Sequence, residues 1–355
     1  MATSRADRRL DELERAFEHA TAVAGALTHR ILIADRCVEL CFAGPVLHSR
    51  LTPAFAHLPI GHGAPELTLC IADAESTGMA PELRAGAGSA DQGRRLVAEE
   101  LAPRCICVPE TGALYAMDGA SRRGFFLAKS ESALLPSDIA APLRLLLAWW
   151  AAALGAQLTH GAVVGLPGEG VLLTGRGGSG KSTSALSCMQ RGLHTLGDDY
   201  VWIEFGTSPL AFSLYSTAKI DRTALETHFV DLKEYARALD RNKAILFLAH
   251  APAVRFASRL PLCAVAAQRI SGRASPRVRI ASPIEVLTAL APASLFQLPG
   301  SAPSALARLA RLVRDVRSLV FDAGTDYIAN AAAIAELLSR CPDQPMAEPH
   351  ALALG

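Results

Sequence analysis

Gly175, Gly180, Lys181 and Ser182 stand in the segment "GRGGSGKS", with four residues between the two glycines. That spacing is the Walker A phosphate-binding pattern. Gly175, Gly177, Gly178 and Gly180 let the backbone turn successive N–H groups inward around phosphate oxygens, with Ser179 and Thr183 in the same wrap. A helix opening at this point adds the positive end of its dipole. Lys181 then supplies a point charge for the β and γ phosphates, and the Ser182 hydroxyl is placed to ligate Mg²⁺. The local context suits the pattern: "GVLLTG" reads as a strand and "KSTSALSCMQR" as a helix closed by Gly192. ATP and Mg²⁺ are the expected cofactors.

A magnesium–nucleotide site needs an acid near the phosphates, and Asp198 and Asp199 follow one helix later at the start of a strand. Two adjacent carboxylates repel unless a cation lies nearby. If they act rather than face water, one can hold Mg²⁺ while the other accepts a proton from an attacking hydroxyl. His160 precedes Lys181 by 21 residues, at the mouth of the strand "AVVGL". Spacing alone does not separate a role in the site from a packed strand residue.

Together, "HGAVVGLPGEGVLLTGRGGSGKSTSALSCMQRGLHTLGDDYV" resembles the catalytic core of bacterial HPr kinase/phosphorylase. His-Gly, a strand pair, the Walker A loop, an "RG" helix end and "DD" occur there in this order. The likeness covers residues 158 to 205. It implies the P-loop fold shared with phosphoenolpyruvate carboxykinase. It also implies that His160 is the active-site histidine, Lys181 the phosphate lysine and Ser182 a metal ligand. Asp199 would be the proton acceptor for a serine hydroxyl, with Asp198 beside it as a metal or orienting group. Beyond residue 205 the family's acidic "ElRG" motif is missing, so HPr itself is not the expected substrate, and the pyrophosphate-forming reverse reaction is expected still less. "YSTAKID", "PLCAVAAQRISGR" and "LAPASLFQLPG" look instead like the HPr-kinase-like proteins encoded beside lasso-peptide maturation genes. Lys219 and Arg269, in those phrases, are candidates for a second positive shell around the transferred phosphoryl group. A solvated surface cation is the alternative for each. The implied function is an ATP- and Mg²⁺-dependent kinase acting on a serine of a peptide or small protein. The alternatives are a small-molecule kinase on the same core, or a regulatory ATP-binding module without transfer. The resembled family forms hexamers, and nothing in the chain establishes the contacts of a homo-oligomer.

The elements that must hold these residues divide the chain in two. Residues 1–135 read as a small mixed α/β domain with strands such as "HRILIADRCVELCFAG" and "ELTLCIAD", no catalytic constellation, and a mobile Gly/Ala/Ser-rich loop at residues 76–93. His48, His57 and His62 in it lack ligand spacing and suit surface or packing roles. The N-terminus reads as an exposed helix. Residues 136–355 carry the kinase-like α/β domain: a helix from Ser137 to about Gly155, the nucleotide unit, and strand-like "FSLYSTAKID" and "AILFLAH" around a helical "RTALETHFVDLKEYARAL". A helix begins at "SPIE" with Ser282 as cap and Glu285 closing a capping box. Helix "APSALARLARLVRDV", strand "RSLVFDA" and helix "IANAAAIAELLSR" finish the chain.

The length of 355 residues allows two domains and a large core. A formal net charge of +1 gives no bulk attraction to nucleic acid or an anionic membrane. The apolar run "IAAPLRLLLAWWAAALGAQL" is broken by Pro142 and Arg144 and is too short to span a bilayer. Eight cysteines without a CxxC pair, in apolar surroundings, read as reduced core residues of a cytoplasmic protein rather than as disulfides or zinc ligands.

Overall fold

The computed structural model describes residues 5–78, 104–108, 111–119, 122–240, 242–299 and 304–341. The loop expected to be mobile at residues 76–93 lies outside them from residue 79 onward. The fold is mixed α/β. A six-stranded sheet is built from residues 26–128, and a ten-stranded and a three-stranded sheet follow after residue 157.

Three parallel strands form the heart of the larger sheet: Glu169–Thr174, Arg259–Ile270 and Arg317–Ala323. They are buried on both faces, which is why they read as near-continuous apolar runs. Successive residues serve opposite faces. Leu173, Ala266 and Leu319 pack with Ala185, Leu186 and Ile334 of helices Lys181–Gln190 and Tyr327–Ser339. Leu172, Val265 and Val320 pack with Leu290, Leu309 and Leu312 of helices Pro283–Leu295 and Ser304–Asp315. Each such leucine contributes about 1.5–3 kcal/mol of burial free energy. The helix that carries Lys181 is thereby clamped between the sheet and Tyr327–Ser339.

One apolar cluster crosses the expected boundary at residue 135. It runs from Ile31, Phe55 and Phe126 to Trp149, Trp202 and Tyr215. The N-terminal sheet is therefore packed onto the rest by shared core, and Tyr215 Oη donates to the Pro142 carbonyl at 2.8 Å within it.

Several sequence expectations change. The N-terminal helix, Arg5–Ala24, is not exposed all round. Leu13, Phe17 and Ala20, at helical spacing, are buried against Cys70, Leu114 and Phe125 of the first sheet. The single helix expected from Ser137 is two, Pro136–Ala140 and Arg144–Ala153. Pro142 disfavours helical geometry at Ala141, and Leu143 turns the chain with φ of 60°. Leu135, not Ser137, is the N-cap, and Asp138 accepts its N–H at 3.2 Å. In "RTALETHFVDLKEYARAL" only Arg222–Thr227 is α-helical; Val230–Tyr235 is a 3₁₀ turn and Ala236–Asp240 a strand. Cross-strand pairing with Lys243–Phe247 overrides the helical propensity of "ARAL". Ser282 caps its helix by accepting the Glu285 N–H at 3.3 Å, but the Glu285 carboxylate pairs with Arg279, so the box stays half closed.

The cysteines divide. Cys37, Cys70 and Cys188 are buried and free, as expected, whereas Cys105 is exposed. Cys263 and Cys341 are joined as a disulfide across 78 residues, against the expectation of reduced thiols. Sequence separation hid the pair, because the contact exists only once Tyr327–Ser339 lies on the sheet. Among the described residues no helix is long and apolar enough to cross a membrane.

His48 and His57 have packing roles and His62 is exposed. His48 meets Phe42 edge-on at 5.1 Å. His57 Nε2 bonds Ser213 Oγ at 2.6 Å across the joint between the two halves, while its Nδ1 is buried with no partner. Burial lowers its pKa from 6.5 to about 4. The neutral form is favoured in the fold, so the stabilisation is complete above pH 6.5 and is lost as pH falls from 6.5 toward 4. A shift of this size amounts to about 3 kcal/mol at most. Urea unfolding at pH 7.5 and 4.5 is expected to show a pH-dependent loss about 2–3 kcal/mol larger for the native chain than for His57→Gln. Equal losses would remove His57 as the cause.

Candidate functional site

The phosphate-type loop leaves the carboxyl end of strand Glu169–Thr174 and enters the helix at Lys181. Gly175 has φ of 144°, and a Cβ there would meet the Gln268 carbonyl at 2.6 Å, so only glycine passes this point. Gly178 and Gly180 take φ of 82° and 86°. Lys181, 8% exposed, folds over the loop and donates to the carbonyls of Gly175 at 2.8 Å and Arg176 at 3.3 Å. Desolvation lowers its pKa, against the pull of Asp198 and Asp199. The Ser179 hydroxyl in the same loop is buried without a hydrogen-bond partner.

The acidic pair occupies the gap between strands His194–Gly197 and Tyr200–Phe205. Gly197, with φ of 125°, makes the turn, and a Cβ would meet the Tyr215 carbonyl at 2.8 Å. The two carboxylates then diverge in environment. Asp198 is 4% exposed; its Oδ2 accepts the Lys219 backbone N–H at 3.0 Å and its Oδ1 has no partner. Burial raises its pKa and the charge on Asp199 adds to that, against the Lys219 N–H and the neighbouring Ser182 hydroxyl. Asp199 is bound on both oxygens, Oδ1 by His160 Nε2 at 3.1 Å and Oδ2 by Lys219 Nζ at 2.9 Å. Burial alone would raise it, but the Lys219 ammonium and the His160 hydrogen bond outweigh burial and hold it well below the ordinary carboxylate range.

His160 ends strand Gln157–His160, which pairs with Tyr200–Phe205, so His160 lies opposite Tyr200. Its backbone N–H donates to Ser294 Oγ at 3.1 Å, and its ring meets Tyr200 edge-on at 5.2 Å. Its side chain therefore faces Asp199.

These groups line one cleft of about 880 Å³. His160, Gly177, Gly178, Ser179, Gly180, Lys181, Ser182, Thr183, Asp198, Asp199 and Lys219 all border it, whereas Gly175 shapes the loop from behind. Arg269 is not brought in. Strand alternation turns Gln268 and Ile270 toward the loop, and the Arg269 side chain, 61% exposed, pairs with Asp322 on the neighbouring strand. It is the surface cation that was its alternative.

Sequence reasoning missed Ser137, Asn242, Lys243, Ile270 and Gln297, which also border the cleft. Ile270 and Gln297 stand inside the phrases "PLCAVAAQRISGR" and "LAPASLFQLPG" without a motif position of their own, while Ser137 and the adjacent Asn242 and Lys243 arrive from other segments through the fold. Arg144 left a trace as well: a cation inside an apolar helix needs a partner, and here Asp138 supplies it at 2.8 Å.

The chemistry of the cleft suits a polyphosphate. Backbone N–H groups, a lysine and a helix N-terminus border it together with two carboxylates. Asp198 and Ser182 offer hard oxygen donors of the kind Mg²⁺ prefers, and the unpartnered Asp198 Oδ1 is a buried acceptor that a cation would satisfy. In comparison with known proteins, the chain matches no family model and no curated sequence.

Proposed function

We propose that the protein is an ATP- and Mg²⁺-dependent kinase that phosphorylates a serine-type hydroxyl, of the HPr-kinase-like class with a P-loop kinase domain after residue 135. The observation that carries this reading is the split of the acidic pair inside a phosphate-type cleft. One carboxylate oxygen is buried without a partner beside Ser182, and the other carboxylate is held ionised by Lys219 and His160. A site that only bound nucleotide would need the first carboxylate but not the second.

In this reading residues 175–183 wrap the phosphates. Lys181 leaves the Gly175 and Arg176 carbonyls for the β and γ groups, and Ser182 with Asp198 holds the metal. When bound, the metal neutralises charge on the β- and γ-phosphate oxygens. Asp199 takes the hydroxyl proton as the acceptor oxygen bonds to the γ-phosphorus and the bond from that phosphorus to the bridging oxygen breaks. A depressed carboxylate is a weak base, but in a loose transition state the hydroxyl proton is lost late, so strong basicity is not required. Lys219 stabilises charge on the transferred group, and His160 orients Asp199.

Incubation with γ-labelled ATP and serine-bearing peptides or hydroxy metabolites, read by mass spectrometry, is expected to give a gain of one phosphate on the acceptor. ATP-dependent binding of a partner with no transfer to any acceptor would favour the regulatory module instead. A small-molecule acceptor keeps specific support from a polar side pocket next to Asp199.

A further inference from the structure

Behind Asp199 a second pocket of about 270 Å³ is lined by Ser137, Arg144, Asp199, Tyr200, Lys219 and Gln297. It shares Ser137, Asp199, Lys219 and Gln297 with the main cleft, so the two adjoin at the residue proposed to take the proton. Apart from the Tyr200 ring, every side chain in its wall is polar. At about 30 Å³ per water, the space holds roughly nine waters, or a group of similar heavy-atom count.

The donors in this wall are incompletely used. Arg144, with a side chain 18% exposed, commits Nη1 to Asp138 Oδ1 at 2.8 Å and to the Ser137 carbonyl at 3.1 Å. Its Nε and Nη2 make no hydrogen bond among the described residues. Neither is sealed away as a buried orphan, and the side chain borders the pocket. Tyr200 Oη donates to Gln297 Oε1 at 2.8 Å, which fixes the amide and leaves its NH₂ group to donate. A guanidinium edge beside an amide NH₂ suits an anion with two coplanar oxygens.

We infer that this pocket is the acceptor subsite and that it selects a hydroxyl compound bearing a carboxylate, held by Arg144 and Gln297 while its hydroxyl reaches Asp199. The inference rests on the kinase reading. Asp199 does not repel such an acceptor from the pocket, because Lys219 and His160 already bind both of its oxygens and the carboxylate sits at the Arg144 end. The broken Pro136–Ala140 and Arg144–Ala153 helices make the subsite, since the turn at Pro142 brings the Ser137 and Arg144 ends together at the wall.

The carboxylate can belong to a free hydroxy acid or to the end of a chain, and calorimetry separates the two. L-Serine, D-glycerate, L-serinamide and a pentapeptide ending in serine, as free acid or amide, are titrated into protein saturated with Mg²⁺ and a non-hydrolysable ATP analogue. The acids are expected to bind at least tenfold more tightly than their amides. Gln297→Leu and Arg144→Gln should each weaken the acids by tenfold or more while changing the affinity of the amides less than twofold. Gln297 is exposed, so its variant tests the pocket even if Arg144→Gln fails to fold. Stronger binding of free acid or of pentapeptide identifies the source. Equal affinity for acid and amide, or no effect of Gln297→Leu, overturns the subsite. Acid binding that depends on Gln297, in a protein that transfers no phosphate from ATP to those same acids, would keep the subsite and remove the kinase reading.

Discussion

Asp199→Asn is expected to lower phosphoryl transfer by about 10²- to 10⁴-fold, the usual worth of a positioned proton acceptor, while ATP affinity stays within a few-fold. The separation follows from geometry. Asp199 binds His160 and Lys219, whereas the proposed nucleotide contacts are the loop N–H groups and Lys181. The variant also removes the charge partner of Lys219, whose side chain is 17% exposed. A modest loss of folding stability, on the order of 1–3 kcal/mol, should therefore accompany the loss of transfer. Labelled transfer measured beside fluorescent-nucleotide titration reads both quantities. Transfer by the variant at the native rate would remove Asp199 from the chemistry, and parallel loss of ATP binding would recast it as a nucleotide ligand.

Asp198→Asn should behave in the opposite way toward stability. Asp198 is a buried carboxylate with an unpartnered oxygen beside a second carboxylate, and a neutral amide there relieves both desolvation and like-charge repulsion. The melting temperature without metal is expected to be no lower than that of the native chain. In the kinase reading function should suffer, because the proposed hard anionic ligand for Mg²⁺ is gone. The magnesium concentration for half-maximal transfer should rise at least tenfold, on the order of 1.4 kcal/mol of metal binding or more. Thermal unfolding and a magnesium titration of transfer check the two halves. A drop in melting temperature with unchanged magnesium dependence would make Asp198 a structural residue that holds the Lys219 N–H.

The two variants separate what adjacent, identical side chains do. Asp198, buried beside Ser182 at the cleft, accepts a backbone N–H, whereas Asp199 is bound by His160 and Lys219. The split depends on the turn at Gly197 and on the pairing of Tyr200 with His160.

How much of this was legible without coordinates varies by element. The loop from Gly175 to Thr183, its strand and its helix were readable, because glycine placement and the change of period from strand to helix are local properties. The helices Ser304–Asp315 and Tyr327–Ser339 and the strand Arg317–Ala323 were readable for the same reason. The long strand Arg259–Ile270 was not assigned, since "CAVAAQ" is rich in alanine and carries little strand propensity; its place between two parallel neighbours makes it a strand. Pro142 is visible in the sequence, but the helix break beside it is not, because the αL turn at Leu143 has no glycine to announce it.

By itself the sequence determined which groups are available: a glycine-rich loop of Walker A spacing, a serine hydroxyl after its lysine, two acids and a histidine in fixed order. Only the tertiary structure decided which acid is paired and which is left open, that Lys219 borders the cleft while Arg269 lies at the surface, and that Arg144 and Gln297 line one pocket with Asp199. The physical reason is that residue type and local spacing fix what a side chain can do and which element it favours. Burial and partners depend on segments far apart in the chain, such as those of Arg144 and Gln297, that come to one pocket only in the folded chain.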